Sequence, residues 1–405
     1  GANNVALGYK ALEANTTASN NTALGYQAGY SNTTGTRNTF IGSLAGDALT
    51  DADDNVAIGQ TALGLDTLGS KSVAVGRAAL ATQNFTSATD SYNTAVGFQA
   101  GESVTTGTSN TLVGGLAGDA ITTGSANTSV GTGSLGANTT ASSNTAVGFD
   151  AGNSNTTGAF NTFVGKDSGL SITTSSNSTF VGEYSGRSTT GGGNTFIGQG
   201  AGTLLTSGGN NTILGQYTGN QGGLDIRTSS NNIVLSDGDG NPRMRINEDG
   251  NLIIPGNVDN PGTGGATGVR LLPNGFIDSS VSGQQCMNLN REGSNGGIVH
   301  FLKSDTQVGS ISVTGSATSY NTSSDHRLKE NVDYTWDATT RLKQLKPARF
   351  NFIADADTTV DGFLAHEAQA VVPECVTGTK DAVDDDGNAV MQGIDQSKLV
   401  PLLVK

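Results

Sequence analysis

One short phrase, Asn-Thr-x-(Val/Ile/Leu)-Gly, returns at nearly constant spacing through the first half of this chain. It reads NTALG up to Gly25, NTFIG up to Gly42, NTAVG up to Gly97 and again to Gly148, NTFVG up to Gly165 and NTFIG up to Gly198. With its variants it supplies thirteen anchor glycines, from Gly8 to Gly215. Ten of the twelve intervals between them are 17 residues; the others are 21 (Gly76 to Gly97) and 16 (Gly182 to Gly198). A fixed period this short means one structural coil stacked along an axis, and it argues against a globular catalytic domain.

Composition supports a thin solenoid over a single large core. Of 405 residues 59 are glycine, 34% are hydrophobic and 5% aromatic. Low hydrophobicity without a period would point to disorder; with a period it places most residues in turns and on the surface. The formal charge is −14 and the repeats carry no basic stripe, which excludes nucleic acid as a partner class. The two cysteines, Cys286 and Cys375, match no metal spacing and are expected to be ordinary thiols. There is no apolar run of membrane-spanning length. The chain opens at Gly1 inside a repeat, so a piece of a longer protein is expected.

The residue before each anchor glycine is always a branched aliphatic, Leu7 and Leu24 through Val147, Val164 and Val181 to Leu214. Two places earlier stands Thr or Val. Alternation along a strand puts these two positions on one face, and stacked coils are expected to line a narrow core with them. The intervening residue, as in Phe40, Phe163, Phe180 and Phe196, is then expected to pack between chains or under adjoining loops. A second glycine often follows four residues after the anchor, as at Gly29, Gly46 and Gly186, where a corner needs it. At roughly 4.8 Å per coil the repeats predict a rod.

This pattern resembles the head repeats of trimeric autotransporter adhesins, the YadA-like left-handed β-roll. The shared element is the strand-turn phrase ending in an aliphatic and Gly, and the period here is longer than usual for that family, which implies longer surface loops. The resemblance covers about half the chain and implies a homotrimer of parallel β-rolls over residues 1–222.

Other motifs carry less. GTGSLG at Gly131 to Gly136 fits G-x-G-x-x-G but falls on the repeat phase with no βαβ context, so it is read as a coil turn. Asp237, Asp239, Asn241 and Glu248 have calcium-loop spacing, but Pro242 takes the usual glycine position and no helix flanks them. That segment is read as a β-hairpin with acidic turns, and Asp384 to Asp386 as a solvated hairpin tip. No metal or cofactor is expected. Residues 223–268 form transitional hairpins and a Gly/Pro linker, and 269–320 a small β module.

From residue 321 charges, Trp336 and conventional apolar clusters appear. NTSSDHRLKENV (321–332), LKQLKPARFNF (342–352), VDGFLAHEAQAVVPECVTGTKD (360–381) and QGIDQSKLVPLLVK (392–405) follow in order. Together they resemble the endosialidase-type intramolecular chaperone of phage tail spikes and fibres. That resemblance implies an α+β domain over 321–405 that trimerises, drives folding of the preceding fibre and then cuts itself off, with a terminal coiled coil expected beyond Lys405. It also implies roles within S-D-x-R-L-K: Ser324 is the nucleophile, Lys329 its partner, and the cut falls between Ser323 and Ser324. The chemistry suits these residues, because autoproteolysis needs a nucleophile beside the scissile carbonyl and a base to activate it. A Ser-Lys dyad works only with a neutral amine, so Lys329 is expected to be desolvated or crowded by Arg327. His366 and Glu367 are weaker candidates to assist.

The sequence thus predicts a mostly β, homotrimeric solenoid fibre followed by a small β module and a C-terminal α+β chaperone domain. The leading function is a bacteriophage tail fibre for host-surface attachment, part of the virion tail, that performs a single self-cleavage and turns over no substrate. Its partners would be two identical chains and a surface glycan or protein. A bacterial cell-surface adhesive filament built from the same modules is the alternative. A polysaccharide-degrading spike would need two carboxylates at fixed separation, and the repeats show no recurrent pair.

Overall fold

The computed structural model of the chain describes residues 1–255, 268–271, 277–280, 287, 289–291, 293–384 and 387–404. They fall into two compact units, Gly1–Asn288 and Leu289–Lys405.

In the first unit the repeat is a β-solenoid. Each phrase forms a three-residue strand that ends just before its anchor glycine, from Val5–Leu7 through Thr22–Leu24 to Thr212–Leu214. Each strand pairs in parallel with the next, position for position. Thr145 meets Thr162, Ala146 meets Phe163, Val147 meets Val164, and Val164 meets Val181. The file passes in parallel to Ile233–Ser236, then turns antiparallel through Pro242–Ile246, Leu252–Pro255, Gly268–Leu271 and Ile277–Ser280. Turns are bonded coil to coil as well: the amides of Leu12, Thr16 and Thr33 donate to the carbonyls of Ala28, Thr33 and Thr50. Stacking therefore satisfies the backbone around the coil and not only along its strand.

The facing of the strand side chains is the reverse of the expected one. The middle residue points into its own coil: Ala23, Phe40, Leu112, Phe163, Phe180, Phe196 and Ile213 have no accessible surface. The flanking Thr and aliphatic point outward, and Leu24 (44% exposed), Val96, Val147 and Ile197 remain open to solvent. The phenylalanines thus pack inside their own chain beneath its turns, not between chains. The cause is the residue that precedes the Thr. Asn21, Asn38, Asn55, Asn93, Asn110, Asn127 and Asn144 are fully or almost fully buried. With Asn inside, alternation sends Thr out, the middle residue in and the aliphatic out.

Each of these asparagines links two coils. Except at Asn93, whose N–H donates to Ser91 Oγ, the Asn backbone N–H donates to Oδ1 of the Asn one coil earlier at 2.8–3.0 Å, as from Asn38 to Asn21, Asn127 to Asn110 and Asn211 to Asn194. Its Nδ2 donates at 2.7–2.9 Å to a carbonyl fourteen residues on, as from Asn38 to Ala52 and Asn144 to Gly158. In the coil that ends at Gly76, just before the long interval, Ser72 replaces Asn. There Gln83 fills in, with Nε2 donating to Ser72 Oγ and to Asp66, and Oε1 accepting from Asn93 Nδ2. At the last coil the ladder ends on Asn232, whose Oδ1 accepts two N–H groups of the buried Arg245.

Interior volume is shared between neighbouring coils. Coils with Leu at the corner four residues after the anchor have a small middle residue: Leu63 with Ala57, Leu80 with Ala74, Leu135 with Ser129. Coils with a large middle residue have glycine there. A Cβ on Gly186, whose φ is +60°, would lie 2.6 Å from the Phe180 ring. Gly152 accompanies the small Ala146, because Phe163 and Leu135 from the adjoining coils occupy its space. Phe163, Phe180 and Phe196 run down the axis with centroids 5.8 and 4.9 Å apart.

The second unit begins with an antiparallel three-stranded sheet, Gly296–Lys303, Thr306–Val313 and Thr318–Thr322. A helix Ala338–Gln344 follows, its end capped where the Asp337 carboxylate accepts the Thr340 N–H. Then come a hairpin of Ala348–Phe352 with Asp355–Gly362, a helix Ala365–Gln369 and a C-terminal helix Val400–Val404. Ala368, Val372, Cys375, Leu399 and Leu402 form its small core, with Trp336, Leu342 and Phe363 packed against it. Cys375 is free and buried; Cys286, Asp385 and Asp386 lie outside the described residues.

Truncating Phe180 to Ala removes the middle of a three-ring stack that the Gly186 corner is shaped to receive. It is expected to lower stability by about 3–5 kcal/mol, measured by denaturant unfolding, whereas the outward Val181→Ala should cost a lone chain far less.

Candidate functional site

Ser324 and Lys329 are five residues apart, a spacing that regular structure does not bring together. In a strand they would be roughly 16 Å apart, and on an α-helix only i+3 and i+4 share a face. Here Lys329 Nζ lies 2.8 Å from Ser324 Oγ and donates to it. The chain closes that gap with one 3₁₀ turn, His326–Leu328. Asp325 caps the turn: its Oδ1 accepts the Arg327 N–H at 2.9 Å and its carbonyl accepts the Leu328 N–H. The Arg327 side chain returns to the same carboxylate, Nε to Oδ1 at 3.0 Å and Nη2 to Oδ2 at 2.7 Å. That guanidinium, and then the Arg327 amide, hold the Asp325 carboxyl below the usual carboxylate range.

The residue on the other side of the bond is held by the sheet. Ser323 follows directly on the strand Thr318–Thr322, and its N–H and Oγ both donate to the Val308 carbonyl, at 3.3 and 3.4 Å. The Ser323–Ser324 peptide therefore spans the junction between an anchored sheet edge and a capped turn.

Two sequence expectations are corrected here. Arg327 does not crowd the lysine, because its charge is committed to Asp325. Lys329 is exposed in the single chain, so nothing in it strips water from the amine. His366 lies exposed on the helix Ala365–Gln369 and makes no hydrogen bond to Ser324 or Lys329, while Glu367 pairs with Lys346 at 3.6 Å. Cys375 does not compete as a nucleophile, since burial pushes its thiol up. The role of Asp325 was missed in the sequence, although an Asp two residues before an Arg, next to Ser324, is a readable capping signal.

Residues 324–377 match the family described as chaperone of endosialidase, a match that starts on Ser324. No curated protein and no solved structure gives a significant match. Together with the β-solenoid, the match makes this a fibre-like protein with a C-terminal chaperone segment.

The segments set aside in the sequence also have their places. Gly131 to Gly136 forms the turn after the strand Thr128–Val130. Asp237 sits in a hairpin turn, where its carboxylate accepts the N–H groups of Asn241 and Asp239 and pairs with Arg243. The Asn241 amide, followed by the Arg243 guanidinium, lowers the Asp237 carboxyl to about 2. A carboxylate depressed in the folded state stabilises it above the ordinary pKa of the group, and that contribution is lost as the pH falls through the folded value. Asp237 is thus expected to stay ionised until the pH nears about 2, and a carboxyl-carbon NMR titration should show its midpoint well below those of unpaired aspartates.

Proposed function

We propose that the chain forms a homotrimeric adhesive fibre, a bacteriophage tail fibre for host-surface attachment, whose C-terminal segment sets the alignment of three chains and then cuts itself away before Ser324. The observation that carries this reading is the Ser324–Lys329 contact at the first residue of the chaperone match.

The solenoid supports a YadA-like trimer through its outer face. The aliphatic before each anchor glycine stands outside its own coil in one continuous file. Fully burying such a side chain contributes about 1.5–3 kcal/mol, and every coil repeats it, so partner chains are its natural cover. The second unit leaves Tyr320, Ile353 and Met391 exposed at 80% or more, large side chains that contacts between chains would cover. Burial between chains would further supply the dehydration that Lys329 lacks alone. Cleavage then follows assembly.

In the reaction the neutral Lys329 amine takes the Ser324 hydroxyl proton and Oγ attacks the Ser323 carbonyl carbon. The Ser323–Ser324 C–N bond breaks as its nitrogen takes a proton, leaving an ester between the Ser323 carbonyl and Ser324 Oγ. Water hydrolyses that ester to a Ser323 carboxylate and a free Ser324 α-amine. The remaining partner is a surface glycan or protein, and the net charge of −14 disfavours nucleic acid.

Mass spectrometry of newly made protein tests the chemistry. The wild type should yield a fragment beginning at Ser324, while Ser324→Ala and Lys329→Ala should assemble yet remain intact; a cut at another residue, or a cleaved Ser324→Ala, would refute the assignment. Sedimentation tests the assembly. Wild type should be trimeric, and the double substitution Val147→Asp with Val164→Asp should leave β-rich single chains; a wild-type protein that stays monomeric would end the trimer reading.

A further inference from the structure

We propose that Asp325 is the positioning residue of the Ser324–Lys329 pair, acting through Arg327. The proposal rests on the self-cleavage reading for its function but on local geometry for its content.

A single 3₁₀ turn is marginal by itself, since closing one fixes several dihedrals for one or two hydrogen bonds. This turn buries none of its residues, so packing does not hold it. What holds it is the Asp325 carboxylate, which binds the Arg327 amide and guanidinium together, and the carbonyls of Asp325 and His326, which accept the N–H groups of Leu328 and Lys329 at 3.1 Å. The clamp bends the backbone so that residues 324 and 329 meet. Asp325 touches neither Ser324 Oγ nor Lys329 Nζ by any hydrogen bond, so it acts through the turn and not on the reacting atoms. The charged groups facing it are Arg327 and His326, whose Nδ1 lies 3.5 Å from Asp325 Oδ1. Its charge also keeps the Arg327 cation engaged and away from the lysine.

Two substitutions separate cap from charge. Asp325→Asn keeps an oxygen that can accept the Arg327 N–H, because Asn and Asp cap about equally well, but loses the ion pair. Asp325→Ala loses both. In the full chain, cleavage by Asp325→Ala should be slower by about tenfold or more and by Asp325→Asn by about threefold or less, with the pH midpoint of the rate unchanged in both. Cleavage of Asp325→Ala at the wild-type rate would overturn the proposal. So would an Asp325→Asn as slow as Asp325→Ala with the acid limb of the profile abolished, since the carboxylate would then be a reacting base.

A second measurement does not depend on cleavage. In the Ser324→Cys chain the Lys329 ammonium should favour the thiolate and bring the midpoint of alkylation at residue 324 below the ordinary value of about 8.5. It would be followed by mass spectrometry of the peptide containing that residue. Adding Asp325→Ala should return the midpoint to about 8.5, as Lys329→Ala does. An unchanged midpoint would overturn the positioning role. A shifted midpoint in a protein whose wild type never cuts itself would instead uphold the positioning and refute the self-cleavage.

Discussion

All but two of the coils from Asn21 onward hang on an asparagine that cannot be seen from outside. Its Oδ1 receives the next coil's backbone N–H and its Nδ2 reaches a carbonyl on the far side of the turn. One side chain thereby satisfies two buried backbone groups that the short strands leave open, each of which would cost about 1–3 kcal/mol unpaired. The exceptions show the same rule. At Ser72 the missing amide is replaced by Gln83, drawn in from the enlarged coil. At Ser178 nothing replaces it, and the hydroxyl is left buried without a partner. At the open end Arg245 takes the place of a further coil.

From the ladder follows the sidedness of everything else. Once Asn is inside, the middle strand residue is inside and the aliphatic is outside, and the interior becomes a tube too narrow for bulk in every layer. The chain answers by staggering it. Phe40 occupies the room left by Gly29 and Gly46, and Leu112 that left by Gly101 and Gly118. Leu63, Leu80 and Leu135 accept a left-handed backbone, with φ of 48–52°, in exchange for filling layers whose middle residue is small. A left-handed Leu is strained by roughly 1–2 kcal/mol, comparable to what its burial returns. The repeat is regular in backbone and aperiodic in volume.

That division explains what was legible in the sequence. The period, the parallel stacking and the hairpins after residue 232 could be read directly, because each depends on local pattern and glycine spacing. The facing of the strand could not be read from hydrophobicity, since Thr-x-Val has apolar atoms on both faces. Burial of a polar residue decided it, and polar residues are ordinarily assigned to the surface. The pairing of Phe with glycine corners held the answer, because a residue facing a partner chain has no reason to vary with its own chain's turn. At the candidate site the Ser324–Lys329 pairing came from resemblance, and the turn that joins them was foreshadowed only by Asp325. The expected crowding by Arg327 failed because a carboxylate two residues away binds a guanidinium more readily than an ammonium approaches it.

The outward file raises a problem that the inward one does not. Inside a chain a slip of one coil would put Phe40 against Leu12 or Leu63 instead of between Gly29 and Gly46, so covalent order and volume together fix the stacking. Between chains the contact would be Val, Ile or Leu against the same residues, and a shift of 17 residues would leave it almost unchanged. Only the 21- and 16-residue intervals break that degeneracy, and they are local. A trimer built from such faces therefore needs alignment from outside the repeat, at the end where three chains first meet. A chaperone segment that follows the solenoid in sequence meets that need. The bond proposed to be cut, Ser323–Ser324, lies where the anchored sheet edge gives way to the capped turn. On the proposed cut the strands up to Thr322 would stay with the fibre while the segment that set the alignment departs, and the aligned state would lose the route by which it was reached. Such a fibre would be held by the height of its unfolding barrier more than by the depth of its minimum.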